Sequence, residues 1–179
     1  MLEKVIYIFR NIYIRIISRG RVTIPFHSRI SDRTEFYTNN GTIKAGVGFV
    51  TSSNSVFSAL DGGTMTIGER VFVNRNCIFV CRKDIRIGNH CSFGPNVCIY
   101  DHDHKYGYHG PVQGYKYGKV IIEDHCWIGA NVTVLRGSHI GECCIIGAGC
   151  IVKGYIPPHS LVTMDNTLKI REITNAQVS

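Results

Sequence analysis

The sequence predicts an all-β chain wound as a parallel β-helix, and three observations predict it. Aliphatic residues recur at every sixth position, glycine follows many of them, and one long stretch breaks the rhythm. Ile122, Ile128, Val134, Ile140, Ile146 and Val152 hold the spacing without a gap, and Gly129 and Gly147 each follow one of them, as does Gly141. Small or medium residues stand two positions earlier: Ser138 before Ile140, Cys144 before Ile146, Cys150 before Val152. A period of six is neither the ~3.6 of an α-helix nor the ~2 of a flat strand. It fits short strands joined by tight turns, each hexad forming one side of a three-sided coil. The aliphatic residue points to a shared axis, and the glycine after it permits the turn.

The first element stands apart. Residues 1–21 form an N-terminal amphipathic segment, in which Val5, Phe9, Ile12 and Ile16, with Ile6, Tyr13 and Ile17, share one broad apolar face at helical spacing. Lys4, Asn11, Arg15, Ser18 and Arg19 lie on the other side, and Gly20 is a stop. Three readings stay open: a helix packed on its own domain or on a neighbouring subunit, a basic amphipathic helix at a membrane surface, or, given its many β-branched residues, a strand. Residues 22–179 form the β-helix domain, with a loop at 100–121 and a C-terminal tail at 159–179. A degraded copy of the repeat begins near Ile43. Clear copies run through Ile67-Gly68, Val73 and Phe79, then Ile87-Gly88, Phe93 and Ile99. Two extra residues between Phe79 and Ile87 make one turn bulge.

Composition narrows the class. The chain has 179 residues, 44% of them hydrophobic and 18% charged, which excludes a disordered or fibrous polymer. The formal charge of +7 suits an anionic partner. No helix-turn-helix, zinc-finger or RNA-binding aromatic pattern accompanies it, so nucleic acid is not expected. The eight cysteines include no CxxC pair and follow no signal peptide. They read as reduced, buried thiols of a cytoplasmic protein.

The interruption between Ile99 and Ile122 is rich in Gly, Tyr, Lys and His. A long excursion from a regular solenoid is usually functional. His102, His104 and His109 lie in it. Their readings are incidental residues of a solvated loop, a metal site, or a general base working near neutral pH.

The hexads I-G-A-N-V-T, I-G-E-C-C-I and I-G-A-G-C-I resemble those of the hexapeptide-repeat acyltransferases, closest to the galactoside, maltose and capsular polysaccharide O-acetyltransferase group. The resemblance covers residues 60–173 and implies a left-handed parallel β-helix, assembled as a homotrimer, that uses acetyl-CoA and no metal. It implies direct transfer of acetyl to a hydroxyl of a sugar or polysaccharide intermediate. In that group a catalytic His follows a strand beginning P-N-V; here Pro95-Asn96-Val97 leads through Cys98-Ile99-Tyr100-Asp101 to His102, so the resemblance implies His102 as the base, with His104 the fallback. Asn74, one hexad after Ile67-Gly68, matches an acceptor-contacting Asn, and Trp127-Ile128-Gly129-Ala130 matches a segment whose amide at Ala130 stabilises the oxyanion. The resemblance places acetyl-CoA beside Trp127, Gly129, Ala130, Gly147 and Ala148, with Lys153, Lys169 and Arg171 as phosphate partners. Asp101 or Asp103 orients an imidazole or serves as a turn residue.

After Ile156-Pro157-Pro158 the chain has Met164-Asp165-Asn166-Thr167-Leu168 where relatives carry a Gly-x-Pro turn and a basic residue, so the adenine end of the donor site departs from the pattern. Tyr100, Tyr106, Tyr108, Tyr115 and Tyr117 would pack on a sugar or against a neighbouring subunit. A basic N-terminus suits a glycan acceptor at the inner membrane face. The alternatives are a serine or small-molecule acetyltransferase, and a non-catalytic or zinc-binding scaffold like the gamma-type carbonic anhydrases.

Overall fold

The structure, a computed structural model, describes residues 2–164, with side chains from Val5 onward. A helix, α1 (Leu2–Ile17), precedes a solenoid of short strands. The first coil is β1 (Val22–Thr23), β2 (Arg29–Ile30) and β3 (Glu35–Thr38), and the second is β4 (Thr42–Ala45), β5 (Val50–Thr51) and β6 (Val56–Ala59). The third is β7 (Thr64–Ile67), β8 (Phe72–Val73) and β9 (Ile78–Cys81), and the fourth is β10 (Asp84–Ile87), β11 (Ser92–Phe93) and β12 (Cys98–Tyr100). A hairpin, β13 (His102–Gly107) and β14 (Gly110–Tyr117), then leaves the coil. The fifth coil is β15 (Val120–Ile122), β16 (Trp127–Ile128) and β17 (Thr133–Val134). The sixth is β18 (His139–Ile140), β19 (Ile145–Ile146) and β20 (Ile151–Val152), and β21 (Tyr155–Ile156) and β22 (Leu161–Val162) begin a seventh.

Every third strand joins the same sheet. The first sheet runs β1-β4-β7-β10-β15-β18-β21, the second β2-β5-β8-β11-β16-β19-β22, and the third β3-β6-β9-β12-β17-β20. All neighbours in the three sheets pair in parallel. The solenoid begins at Val22, well before Ile43, because its first coil lacks the aliphatic-glycine signature and reads Ile24-Pro25 and Ile30-Ser31 instead. The two extra residues between Phe79 and Ile87 raise no bulge. They lengthen β9 and β10, which pair with β6 and β7 residue for residue.

The hexad aliphatics fill the axis: Ile122, Ile128, Val134, Ile140, Ile146 and Val152 are all buried. In the earlier coils aromatic rings take that place. Phe36, Phe57, Phe79 and Phe93 follow one another at centroid distances of 5.3, 5.1 and 5.2 Å. Each such ring or aliphatic chain moved from water to the core contributes about 1.5–3 kcal/mol.

The role expected of the repeat glycine is corrected. The left-handed residue of each turn stands two positions beyond it: Arg70, His90, Asn131 and Cys143 have φ between 52° and 57°. Gly68, Gly88, Gly94 and Gly129 are needed because coil lies on coil there. A Cβ on Gly68 would meet the Gly88 carbonyl carbon at 2.5 Å, and one on Gly94 would meet the Ala130 nitrogen at 2.7 Å. Both obstacles are backbone.

Two further expectations change. Helix α1 does not bury its apolar face. It lies on the first coil through Asn11 and Ile14, and the Asn11 amide donates to the carbonyls of Pro25, Phe26 and Ser28. One amide serving three carbonyls at the end of a solenoid, those of Phe26 and Ser28 having no other partner among the described residues, fixes which side docks. All eight cysteines are free, but only six are buried. Cys143 occupies the left-handed turn position and is exposed, and Cys98 points outward from β12.

Replacing Gly68 by Ala is expected to lower the unfolding free energy by about 1–3 kcal/mol, read by denaturant titration. Gly149→Asn, at a left-handed position with open space around it, is expected to stay within about 0.5 kcal/mol.

Candidate active site

The hairpin leaves at the corner where the third sheet hands over to the first, and its base is anchored by one buried carboxylate. Asp101 is fully buried directly after β12. Its carboxylate accepts the backbone N–H groups of Arg82 at 2.9 Å, Lys83 at 2.6 Å and Asp84 at 2.8 Å, and the Cys81 thiol at 3.4 Å. Burial and the Asp101 charge push the Cys81 thiol well up, so it stays a donor. The Gly118 N–H donates to the Asp101 carbonyl at the far end of the hairpin. One residue thus ties the entry, the exit and the preceding coil together.

His102 follows, with its side chain 10% exposed and Nδ1 3.0 Å from Asp101 Oδ1. A carboxylate accepts and does not donate, so Nδ1 carries the hydrogen and Nε2 presents its lone pair. The ring lies edge-on to Tyr100 and Tyr115 at centroid distances of 6.4 and 5.3 Å. Burial first, then Cys98, pushes the Tyr100 phenol up to about 12, so it remains a neutral wall. The Arg82 guanidinium lies over the Tyr115 ring, 4.1 Å from its centroid, and pairs with Asp61. His104 is exposed and tilts against the same Tyr115 at 4.8 Å. Asp103 is no orienter: it pairs with Arg136 at 2.5 Å and pins the hairpin to the fifth coil.

His109 rests against Tyr108 at the hairpin tip. His102 and His104 thus share Tyr115, whereas His109 lies apart from both, against Tyr108. Among the described residues no three His, Cys, Asp or Glu gather into a metal-binding group. Among the described residues no helix is long and apolar enough to cross a membrane.

The remaining candidates assemble elsewhere. Asn74, Gly129, Ala130, Gly147 and Ala148 all lie where the second sheet hands over to the third, and Trp127 is exposed on β16 beside them. Asn74 is half-buried, and its Oδ1 accepts the Arg75 N–H at 2.8 Å. Along this corner Asn54, Asn76, Asn96 and Asn131 form a ladder of side-chain amides, each donating to the next at 3.0–3.3 Å. The ladder stops at Gly149, which leaves a low rim of Gly147, Ala148 and Gly149. Within the described residues the Ala130 and Ala148 N–H groups make no hydrogen bond. Lys153, exposed after β20, stands on the corner of His102, not on that of Gly147. Lys169 and Arg171, and most of the altered segment Met164–Leu168, lie outside the described residues.

A single chain therefore carries a carboxylate-bonded imidazole at one corner and a rim of small residues at another. The sequence had left Asp101 between orienter and turn residue, and burial decides for orienter. Tyr115 was among the loop tyrosines expected to pack on a sugar or a neighbouring subunit, whereas Arg82, which lies over its ring, was missed, because nothing in its local sequence marks the approach of β14 to the end of β9.

Residues 119–154 match the Bacterial transferase hexapeptide (six repeats) family. A galactoside O-acetyltransferase of Lactococcus lactis is 38% identical over 102 residues, 56% of this chain and 49% of that protein. A Schizosaccharomyces pombe protein, provisionally assigned as an acetyltransferase, is 38% identical over 115 residues, 64% of this chain and 56% of its own. The chain thus spans about half the length of these curated relatives. Among solved structures, a hexapeptide-repeat acetyltransferase of Vibrio cholerae complexed with acetyl-CoA matches with TM-score 0.53 and 23% identity, over 75% of this chain and 64% of that one. A variant of the N-acyltransferase AntD of Bacillus cereus, in complex with dTDP and CoA, matches with TM-score 0.64 and 22% identity over 75% of each chain.

Asp101→Ala is expected to lower the unfolding free energy by about 2–4 kcal/mol in denaturant titration, because it strands the Lys83 and Asp84 amides. A change below about 0.5 kcal/mol contradicts the anchoring role.

Proposed function

From a chain that carries transferase hexapeptide repeats and is similar to acetyltransferases over 115 residues, we propose an O-acetyltransferase that moves acetyl from acetyl-CoA to a hydroxyl of a sugar or glycan intermediate. The observation that carries the reading is the His102–Asp101 pair, a largely enclosed imidazole bonded to a buried carboxylate. His102 Nε2 takes the acceptor hydroxyl proton as that oxygen attacks the thioester carbonyl carbon. The Ala130 N–H stabilises the tetrahedral oxyanion. As the carbon–sulfur bond breaks, His102 returns the proton to the leaving thiolate, and no covalent enzyme intermediate forms. Cys126, which is buried, takes no part.

The base and the groove meet only between chains. In the proposed homotrimer, the corner bearing His102 and the hairpin of one subunit faces the corner bearing Asn74, Ala130 and Ala148 of the next. Exposed apolar side chains on the outer faces of the second and third sheets favour such packing: Phe72, Trp127, Ile145 and Leu161 on one, Ile78 and Ile151 on the other. Asn74 then contacts the acceptor, and Gly129, Gly147 and Ala148 line the pantetheine arm. Lys153 is a phosphate partner, with Lys169 and Arg171 further along. The hairpin tyrosines give the acceptor pocket aromatic walls suited to a sugar face. The galactoside O-acetyltransferase relative favours a sugar over serine or another small acceptor. Free thiols and a CoA substrate suit the reducing cytoplasm.

His102→Ala is expected to lower turnover by about 10²–10⁴-fold, while acetyl-CoA affinity by calorimetry stays within about threefold of wild type. His104→Ala is expected to keep most activity. An active His102→Ala protein with a dead His104→Ala protein would move the base to His104.

A further inference from the structure

Helix α1 presents its apolar face away from the domain that holds it. Its docking side is Asn11 and Ile14. Opposite that side, Ile6, Phe9, Tyr13, Ile16 and Ile17 form a continuous stripe at helical spacing, each more than half exposed and Phe9 and Ile16 68% exposed. A helix that merely closed the solenoid would turn these residues inward. Arg15 is exposed on the helix, Arg19 is exposed in the left-handed turn that follows it, and half-buried Arg10 falls beside Ile17 at helical spacing. In residues 1–20 the charges are Lys4, Arg10, Arg15 and Arg19 against Glu3 alone. The helix also occupies an end of the molecule. It packs on β1 and β2, which are the terminal strands of their sheets.

We propose that α1 is an in-plane anchor that seats this end of the solenoid on an anionic phospholipid surface. The stripe enters the headgroup–acyl boundary, and the basic side chains meet the phosphates. Charge favours this occupant over a second copy: pairing two such stripes would bring like-charged side chains together, whereas a lipid surface complements them. Copies arranged with parallel solenoid axes present their helices to one plane and bind with multiplied avidity.

The test is co-sedimentation of the full chain with vesicles of phosphatidylglycerol and phosphatidylcholine, and with phosphatidylcholine alone. The wild-type protein is expected to bind the anionic vesicles, to bind the neutral ones far less, and to be released as salt rises. Phe9→Glu with Ile16→Glu, and separately Arg15→Glu with Arg19→Glu, are each expected to weaken binding at least about tenfold. Both variants alter exposed positions, and elution volume and circular dichroism check that they fold. No binding of wild type to anionic vesicles, or binding that neither variant weakens, overturns the proposal. So does a lipid-free wild-type mass twice that of the Phe9→Glu, Ile16→Glu protein, which would give the stripe to a second copy.

Discussion

Coil must lie on coil at strand spacing, about 4.8 Å, and the rest of the molecule follows from that contact. The inward residue of each hexad stacks on the one below, so the core is a column and not a layer. Backbone meets backbone at Gly68, Gly88, Gly94 and Gly129, where a side chain would have to occupy space already held by the next coil's peptide. The left-handed residues project outward in files, and those files acquire chemistry of their own. At one corner Asn54, Asn76, Asn96 and Asn131 bond in a ladder, and at another His90 and His125 stack at 4.8 Å.

Such a scaffold assigns every functional residue to a corner. The hairpin can leave only where the stack tolerates an excursion, and Asp101 makes the departure stable by accepting the amides that the next turn would otherwise strand. The same carboxylate then orients His102. Fold and chemistry share a residue there, so a substitution at Asp101 tests both together. The groove of small residues lies at a different corner because the Gly-Ala pairs at 129–130 and 147–148 are themselves stacking positions. In the proposed donor site, close approach of a ligand to the backbone would be a by-product of close approach of coil to coil.

The period of six made the core legible from Ile67 to Val152, since each aliphatic at that spacing proved buried. The first coils were hidden because Phe36, Phe49 and Phe57 replace the short aliphatics, and because Ile24-Pro25 and Ile30-Ser31 lack the glycine. The function of that glycine was misread from composition: only the three-dimensional stack reveals that it is a contact point, with the turn taken two residues later at positions such as His90 and Cys143. His102 was singled out through a family resemblance at Pro95-Asn96-Val97, and its bond to a buried Asp101 was not foreseeable, because that burial depends on the amides of Arg82 to Asp84. Helix α1 was legible as amphipathic. Its orientation was not, because the side chain that decides it, Asn11, bonds to carbonyls fourteen to seventeen residues away.

The central claim is that the base and the donor groove belong to different corners and act together only across a subunit boundary. It is tested most directly by co-expressing two inactive proteins, His102→Ala and Ala148→Trp, and measuring acetyl transfer by the mixed assemblies. Random assortment of the two chains predicts recovery of roughly a quarter of wild-type turnover, since that share of the boundaries pairs an intact base with an intact groove. Mixed assemblies as inactive as either parent would contradict the account and confine the site to a single chain.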